Sequence, residues 1–102
     1  MKEYILCAAN HYDDGEKQIH GPNNIESGFI ICGRRHHNCI SIFSKMFGFP
    51  YDDKTSKLKK TERQGFLTNT DRFVEREEAA QIAFEAGQIK QHKIVLYSED
   101  LY

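Results

Sequence analysis

The sequence predicts an α+β protein with a small, mostly antiparallel sheet and two helices packed on one face of it. Three observations predict this class. Short apolar runs typical of buried strands lie between turn residues, two segments carry apolar side chains at helical spacing, and strands and helices are mixed along the chain. The 102 residues have the length of one domain, so we expect a single domain over 1–102.

The first two predicted strands are separated by turn residues. Residues 4–9 are continuously apolar and end at Asn10, a pattern typical of a buried strand. Asp13-Asp14-Gly15 predicts a turn, because glycine accepts a positive φ and aspartate hydrogen-bonds to its own backbone. A second apolar run at 28–32 predicts the next strand.

A helix is predicted directly after the second strand. Over residues 35–47, apolar side chains recur at spacings of one, three and four, which places them on one stripe. Gly48 and Pro50 end this helix, since proline cannot continue it. The following residues, about 50–64, are rich in lysine and lack an apolar period, so we expect a polar, mobile connector there.

The last part of the chain predicts two more strands and a second helix. Residues 65–68 predict a short strand, and 69–71 predict a turn. Over 75–86, acidic residues begin the segment and small apolar residues follow at helical spacing, which predicts a helix. Residues 94–97 predict the final strand.

Composition and charge exclude several function classes. Fourteen Lys and Arg against fifteen Asp and Glu give a net charge of -1, so no global attraction to DNA or RNA polymers or to anionic membranes is expected. No apolar run approaches the ~20 residues of a membrane span. The N-terminus shows no signal-peptide pattern, and three cysteines are an odd number, so we expect free thiols in a reducing compartment.

The densest polar cluster lies between the second strand and the first helix. Arg34, Arg35 and His36 stand where backbone N–H groups at a helix start bind anions, and arginine adds bidentate contacts to phosphate. The spacing matches no P-loop. The functional interpretation is a phosphate or nucleotide-phosphate site, and the alternative is a solvated helix start.

A second candidate cluster begins in the 65–68 strand and continues through the turn after it to the start of the second helix. Its aromatic side chains suit stacking on a base, Arg72 or Arg76 suits a phosphate, and its small polar groups suit a ribose. The candidate residues are Phe66, Thr68, Asn69, Arg72 and Phe73. The alternative is that both phenylalanines belong to the core.

A metal site or a nucleophilic cysteine is a weaker interpretation of the sequence than a phosphate site. Cys32, His36 and Cys39 have a spacing that zinc accepts, but the second half of a zinc motif is missing. Each cysteine stands in an apolar run, where burial dulls thiol reactivity. No carboxylate pair suits acid–base work. We therefore expect no catalytic residue, no metal and no cofactor.

Several segments of the chain resemble a family of small phage and prophage proteins, and in particular the type-one Thoeris anti-defence family. The resemblance is carried by residues 33–39, 65–68, 72–80, 86–89 and 96–102. Family members usually have aspartate where this chain has Glu75, and either carboxylate suits a helix start.

The resemblance implies a binding protein rather than an enzyme. Members sequester a cyclic ADP-ribose-like or cyclic nucleotide immune signal without cleaving it, and they work as homo-oligomers. It therefore implies a cyclic nucleotide-type ligand and a location in the host bacterial cytoplasm. A nucleotide hydrolase or phosphodiesterase using His36 and His37 is one alternative. A phage inhibitor that contacts a host protein directly is another.

Overall fold

A computed structural model describes residues 2–17 and 19–101, which form one antiparallel sheet and three helices. The strands are β1 (Ile5–Lys17), β2 (Ser27–Gly33), β3 (Arg63–Thr68) and β4 (Phe73–Glu75). Their order across the sheet is β2-β1-β3-β4. The helices are α1 (His36–Phe47), α2 (Asp53–Lys59) and α3 (Arg76–Glu85), and a short 3-10 helix follows at Ser98–Asp100.

Helix α3 packs on the half of the sheet formed by β1, β3 and β4. Ala8 pairs with Phe66, and Phe66 pairs with Val74, so these three side chains share one face. All three are at most 2% exposed. They form a core with the small side chains of α3, which allow the helix to approach the sheet closely: Ala79, Ala80 and Ala83.

Helix α1 covers the other half of the same face. Tyr12 and Ile31 pack against Cys39 and Phe43 of α1 in a second core cluster. The rings of Tyr12 and Phe43 lie 4.4 Å apart between centroids. Because α1 and α3 lie on one face of an antiparallel sheet, the predicted α+β class is confirmed.

Strand β1 is longer than predicted, and the predicted turn at Asp13-Asp14-Gly15 is wrong. These residues lie inside β1, where the register with β2 shifts between Tyr12 and Lys17. The carboxylate of Asp13 accepts the N–H of Gly15 at 3.0 Å. Gly15 has φ +80. The hydrogen bond and the positive φ typical of a turn are therefore present, but they form an irregularity within a strand rather than a chain reversal.

The polar connector predicted at about 50–64 contains helix α2 and the start of β3. The carboxylate of Asp52 accepts the N–H of Thr55 at 2.7 Å and caps the helix. Thr55 is buried. The seven residues of α2 are too few to show an apolar period. The feature of the sequence that indicates this helix is its capping residue, Asp52.

The strand predicted at 94–97 is wrong, and the three-residue strand β4 was not predicted. Leu96 is fully buried, but Ile94 is 84% exposed. The Leu96 N–H donates to the carbonyl of Arg76 at 3.0 Å, so this segment packs against the start of α3 instead of joining the sheet. The longest described helix has twelve residues, and no helix among the described residues has the length and apolar character needed to cross a bilayer.

Candidate functional site

The first residues of α1 and α3 meet over the middle of the sheet. His36 begins α1 and Arg76 begins α3. The Nη2 of Arg76 donates to the Nδ1 of His36 at 3.4 Å. The side chains of the first residues of the two helices therefore contact each other, and a helix start carries the positive end of the helix dipole.

The bonding of His36 fixes its protonation and its position. Its Nε2 lies 2.7 Å from the carbonyl oxygen of Gly65. A carbonyl only accepts, so Nε2 carries the hydrogen and Nδ1 accepts from Arg76. The ring meets Phe66 edge-on at 5.0 Å. Burial lowers the pKa of His36, and the nearby Arg76 lowers it further, so the imidazole is neutral at pH 7.

Beneath these helix starts lies a hydrogen-bonded network that we call the central polar cluster. It consists of Asn10, Tyr12, His36, Glu62, Gln64 and Arg76. Two of these side chains stand on neighbouring strands, because Asn10 pairs directly with Gln64. The cluster therefore lies on the sheet face that carries the helices.

Glu62 is the acceptor at one end of the cluster. Its Oε1 accepts from the hydroxyl of Tyr12 at 2.5 Å and from Lys59 Nζ at 2.5 Å. Burial alone raises the pKa of Glu62, but hydrogen bonds from Lys59 and Tyr12 outweigh it and lower the pKa. Burial, with the bond to Glu62, raises the pKa of Tyr12. Glu62 is therefore an ionised, fully engaged carboxylate at pH 7.

Arg76 is the cation at the other end. It donates to Gln64 Oε1 at 2.8 Å and to the carbonyl of Leu96 at 2.8 Å. Its guanidinium also lies 4.9 Å from the ring centroid of Tyr97. The C-terminal segment thus holds Arg76 in place through Leu96 and Tyr97.

Asn10 has an unsatisfied acceptor inside the cluster. The side chain is fully buried, and Nδ2 donates to Tyr12 and Glu62. Its Oδ1 is buried without a hydrogen-bond partner among the described residues. A buried acceptor without a donor costs ~1–3 kcal/mol, and such atoms occur at sites that receive water or a ligand.

The start of α1 is basic. Arg34 and Arg35 precede it, and its first turn has no acidic residue. By contrast, the first turn of α3 contains Glu77 and Glu78. The positive charge at the junction of the two helices therefore lies on the α1 side and on Arg76, with His36 between them.

The predicted residues of the second cluster occupy three separate places, which are the core, the far end of β3 and the opposite face of the sheet. Phe66 is fully buried in the core, where it packs against His36. Thr68 and Arg72 lie at the far end of β3, where both bond to Glu3. Asn69 accepts the N–H of Tyr4 at 2.7 Å. The structure therefore brings His36 and Phe66 together but does not bring Arg72 to them.

Phe73 lies on the sheet face opposite to the helices. Its ring covers Gly65, where a Cβ would come within 2.7 Å of it. The guanidinium of Arg63 lies 5.3 Å from its centroid. The ring is 3% exposed, so it packs as a core residue of this face. Ligand binding by Phe66, Thr68, Asn69, Arg72 and Phe73 stays a prediction.

The residues weighed as zinc ligands are separated by the sheet. Cys39 is buried against α1's face of the sheet, and Cys32 is exposed on the other face. Both ring nitrogens of His36 are already hydrogen-bonded. In the described ranges, no group of three His, Cys, Asp or Glu side chains has the geometry to hold a metal ion.

Sequence reasoning missed the polar residues of the sheet. Asn10 directly follows an apolar run and Gln64 directly precedes one, and each has a polar neighbour two positions away, at Tyr12 and Glu62. This spacing of two places both members of a pair on one face of a strand. A polar pair at that spacing on the core face of a strand is the sequence pattern that could have identified the central polar cluster.

Comparison with known proteins identifies a family. No curated protein and no solved structure matches the chain. Residues 4–102 match the sequence profile of the phage T4 y16D protein, nearly the whole chain. The chain therefore belongs to the phage T4 y16D protein family.

Proposed function

We propose that this phage protein binds and sequesters a cyclic ADP-ribose-like or cyclic nucleotide immune signal without cleaving it. In this proposal the ligand's phosphates bind at the junction of the α1 and α3 starts. The protein acts in the cytoplasm of the infected bacterium, where such a signal is made. Membership in a phage protein family and the resemblance to the anti-defence family support this role.

The observation that carries the proposal is the contact between the two helix starts. His36 and Arg76 are the first residues of α1 and α3, and they hydrogen-bond to each other. A helix start binds phosphate through its free N–H groups and its dipole. Two starts at one place, next to Arg34 and Arg35, suit a ligand with two phosphates.

The central polar cluster supports the same site from below. Asn10 Oδ1 is a buried acceptor without a donor among the residues that the structure describes. A ligand with an amine or hydroxyl group supplies such a donor. A nucleotide carries both phosphates and donors, so its chemistry fits the helix starts and the buried acceptor together.

The histidines favour binding over cleavage. A phosphodiesterase that uses His36 and His37 needs both rings directed at one phosphate, with free nitrogens for proton transfer. Both ring nitrogens of His36 are engaged, whereas His37 is exposed. The two rings therefore do not form a matched acid–base pair.

The proposal includes a homo-oligomer with the site near a subunit boundary. A chain of 102 residues is small for a pocket that encloses a nucleotide, and pockets favour interfaces. The second half of α1 and the loop after it expose apolar side chains, with Met46 60% and Phe49 79% exposed. These side chains suit a protein contact at the end of α1 opposite to the proposed phosphate site.

The same exposed side chains favour a second candidate function, inhibition of a host protein by direct contact. Light scattering at micromolar concentration separates the two uses of this surface. A stable oligomer supports the first proposal. A monomer whose melting temperature is unchanged by every nucleotide tested supports the second.

Ligand recovery tests sequestration directly. The protein is incubated with the cyclic nucleotide, heated to denature it, and the released compound is identified by mass spectrometry. We expect intact ligand at the starting amount. Release of a linear product in excess over the protein would show an enzyme and would contradict the proposal.

A further inference from the structure

Two cysteines lie side by side on the sheet face opposite to the helices. Ala9 on β1 pairs with Cys32 on β2, so Cys7 is the diagonal neighbour of Cys32 on the same face. The two thiols are therefore neighbours on this face, close enough for each to shift the pKa of the other. Cys32 is exposed, and Cys7 is partly buried.

The surroundings of the two sulfurs differ. Cys32 lines an open cavity of about 290 Å³ with residues of the 19–26 loop and of β3, among them His20, Pro22 and Leu67. The cavity gives a small molecule access to the Cys32 sulfur. Cys39, the third thiol, is fully buried on the helix face and is protected from the same reagent.

The contact makes the two thiols unequal in acidity. The hydrogen bond from Cys7 lowers the pKa of Cys32 to about 7. The same hydrogen bond, together with burial, raises the pKa of Cys7. Cys32 is therefore the nucleophile of the pair, and Cys7 is its hydrogen-bond donor.

We propose that Cys32 and Cys7 form a dithiol site that reacts with low-molecular-weight disulfides and closes to an intramolecular disulfide. In the first step, the Cys32 thiolate attacks one sulfur of the reagent, forms a mixed disulfide and expels one small thiolate. In the second step, Cys7 loses its proton to solvent and attacks the Cys32 sulfur. The second small thiolate leaves, so two cysteine thiols are oxidised and one reagent disulfide is reduced to two thiols.

The site is independent of the proposed nucleotide site, because the sheet separates them. Cys7 and Cys32 alternate with Ala8 and Ile31, whose side chains face the helices. Oxidation of the pair therefore leaves the central polar cluster in place.

The test uses the reduced full-length protein and oxidised glutathione at pH 7. Intact-mass spectrometry follows the reaction, and non-reducing peptide mapping identifies the linked cysteines. We expect a transient glutathione adduct on Cys32, followed by a protein with a disulfide between Cys7 and Cys32. Adduct first on Cys7 or Cys39, a stable adduct on Cys32, or no reaction while free cysteine reacts would each overturn the proposal.

Three variants separate the role of Cys32 as the nucleophile from the role of Cys7 as its hydrogen-bond donor. Cys7→Ser keeps a donor next to Cys32 but cannot form the second bond, so it stops at the mixed disulfide. Cys7→Ala removes the donor, and we expect its Cys32 to react about fivefold more slowly, since the loss of thiolate outweighs the gain in intrinsic nucleophilicity. Cys39→Ala is the control and reacts like the wild type. Equal rates in Cys7→Ser and Cys7→Ala would refute the donor role.

Discussion

The carboxylate of Glu3 bonds the N-terminal segment to the end of β3, and its removal gives a prediction with a defined size. Both oxygens of Glu3 accept from Arg72, from Nε at 2.9 Å and from Nη2 at 2.8 Å. Glu3 also accepts from Thr68 at 2.8 Å and from Thr70. Hydrogen bonding to Arg72, more than any other cause, lowers the pKa of Glu3 to about 2.

The pKa sets an upper limit for the contribution of Glu3 to stability. A change from 4.5 to about 2 corresponds to at most ~3.4 kcal/mol. The side chains of Arg72 and Glu3 are 33% and 22% exposed, so solvent screening reduces this value. We expect Glu3→Gln to lower the free energy of unfolding at pH 7 by ~1–2 kcal/mol. For a domain of this size that is a decrease in melting temperature of roughly 5–15 °C.

The pH dependence follows from the sign of the shift. The folded pKa lies below the unfolded value, so the stabilisation is complete above about pH 5 and is lost as the pH falls through 4.5 toward 2. The difference between wild type and Glu3→Gln therefore falls below about half of its pH 7 value by pH 3. Thermal melts from pH 7 to pH 3, with the exposed Glu26→Gln as control, measure it. A difference that is absent at pH 7, or that does not change with pH, would refute this reasoning.

Three further substitutions test the packing. Phe66→Ala removes a fully buried ring and should cost ~3–5 kcal/mol in urea unfolding, whereas a base-stacking role alone predicts almost no loss of stability. Gly65→Ala places a Cβ 2.3 Å from the carbonyl oxygen of Val74 and should cost ~2–3 kcal/mol in the same assay, and an unchanged midpoint would contradict the close approach. Asp52→Ala removes the cap of α2 and should lower the free energy of unfolding by ~1 kcal/mol. A loss smaller than the error of the measurement would contradict the capping role.

The fold class was predictable because the core faces follow simple periods. The apolar run predicts β1, and the stripe over α1 contains the buried Cys39 and Phe43. Met46 belongs to the same stripe but is 60% exposed. The run Ile94-Val95-Leu96-Tyr97 has the same composition as a strand but only one fully buried member, Leu96. Its long-range backbone hydrogen bond is to Arg76, 20 positions earlier in the sequence. Because this partner is distant in sequence, the local pattern of residues does not predict the bond.

The site was only partly predictable for a related reason. Arg34, Arg35 and His36 were identified from the strand-to-helix junction, which is local in sequence. Arg76 contacts His36 because β4 ends beside the middle of the sheet, and this depends on the strand order. The grouping with Arg72 came from proximity in sequence, but Arg72 bonds to Glu3 at the other end of β3.

The central claim is that the starts of α1 and α3 form the phosphate site. Its most direct test is calorimetric titration with a panel of cyclic nucleotides. The variants are Arg35→Gln and Arg76→Lys, and Lys90→Gln is the charge-matched control on the exposed surface. Folding of each variant is checked by circular dichroism. We predict binding by wild type and Lys90→Gln, and at least tenfold weaker binding by both arginine variants, because a charge-assisted hydrogen bond from a guanidinium to phosphate is worth ~1.5–3 kcal/mol. Unchanged affinity in both folded arginine variants would contradict the assignment of the site.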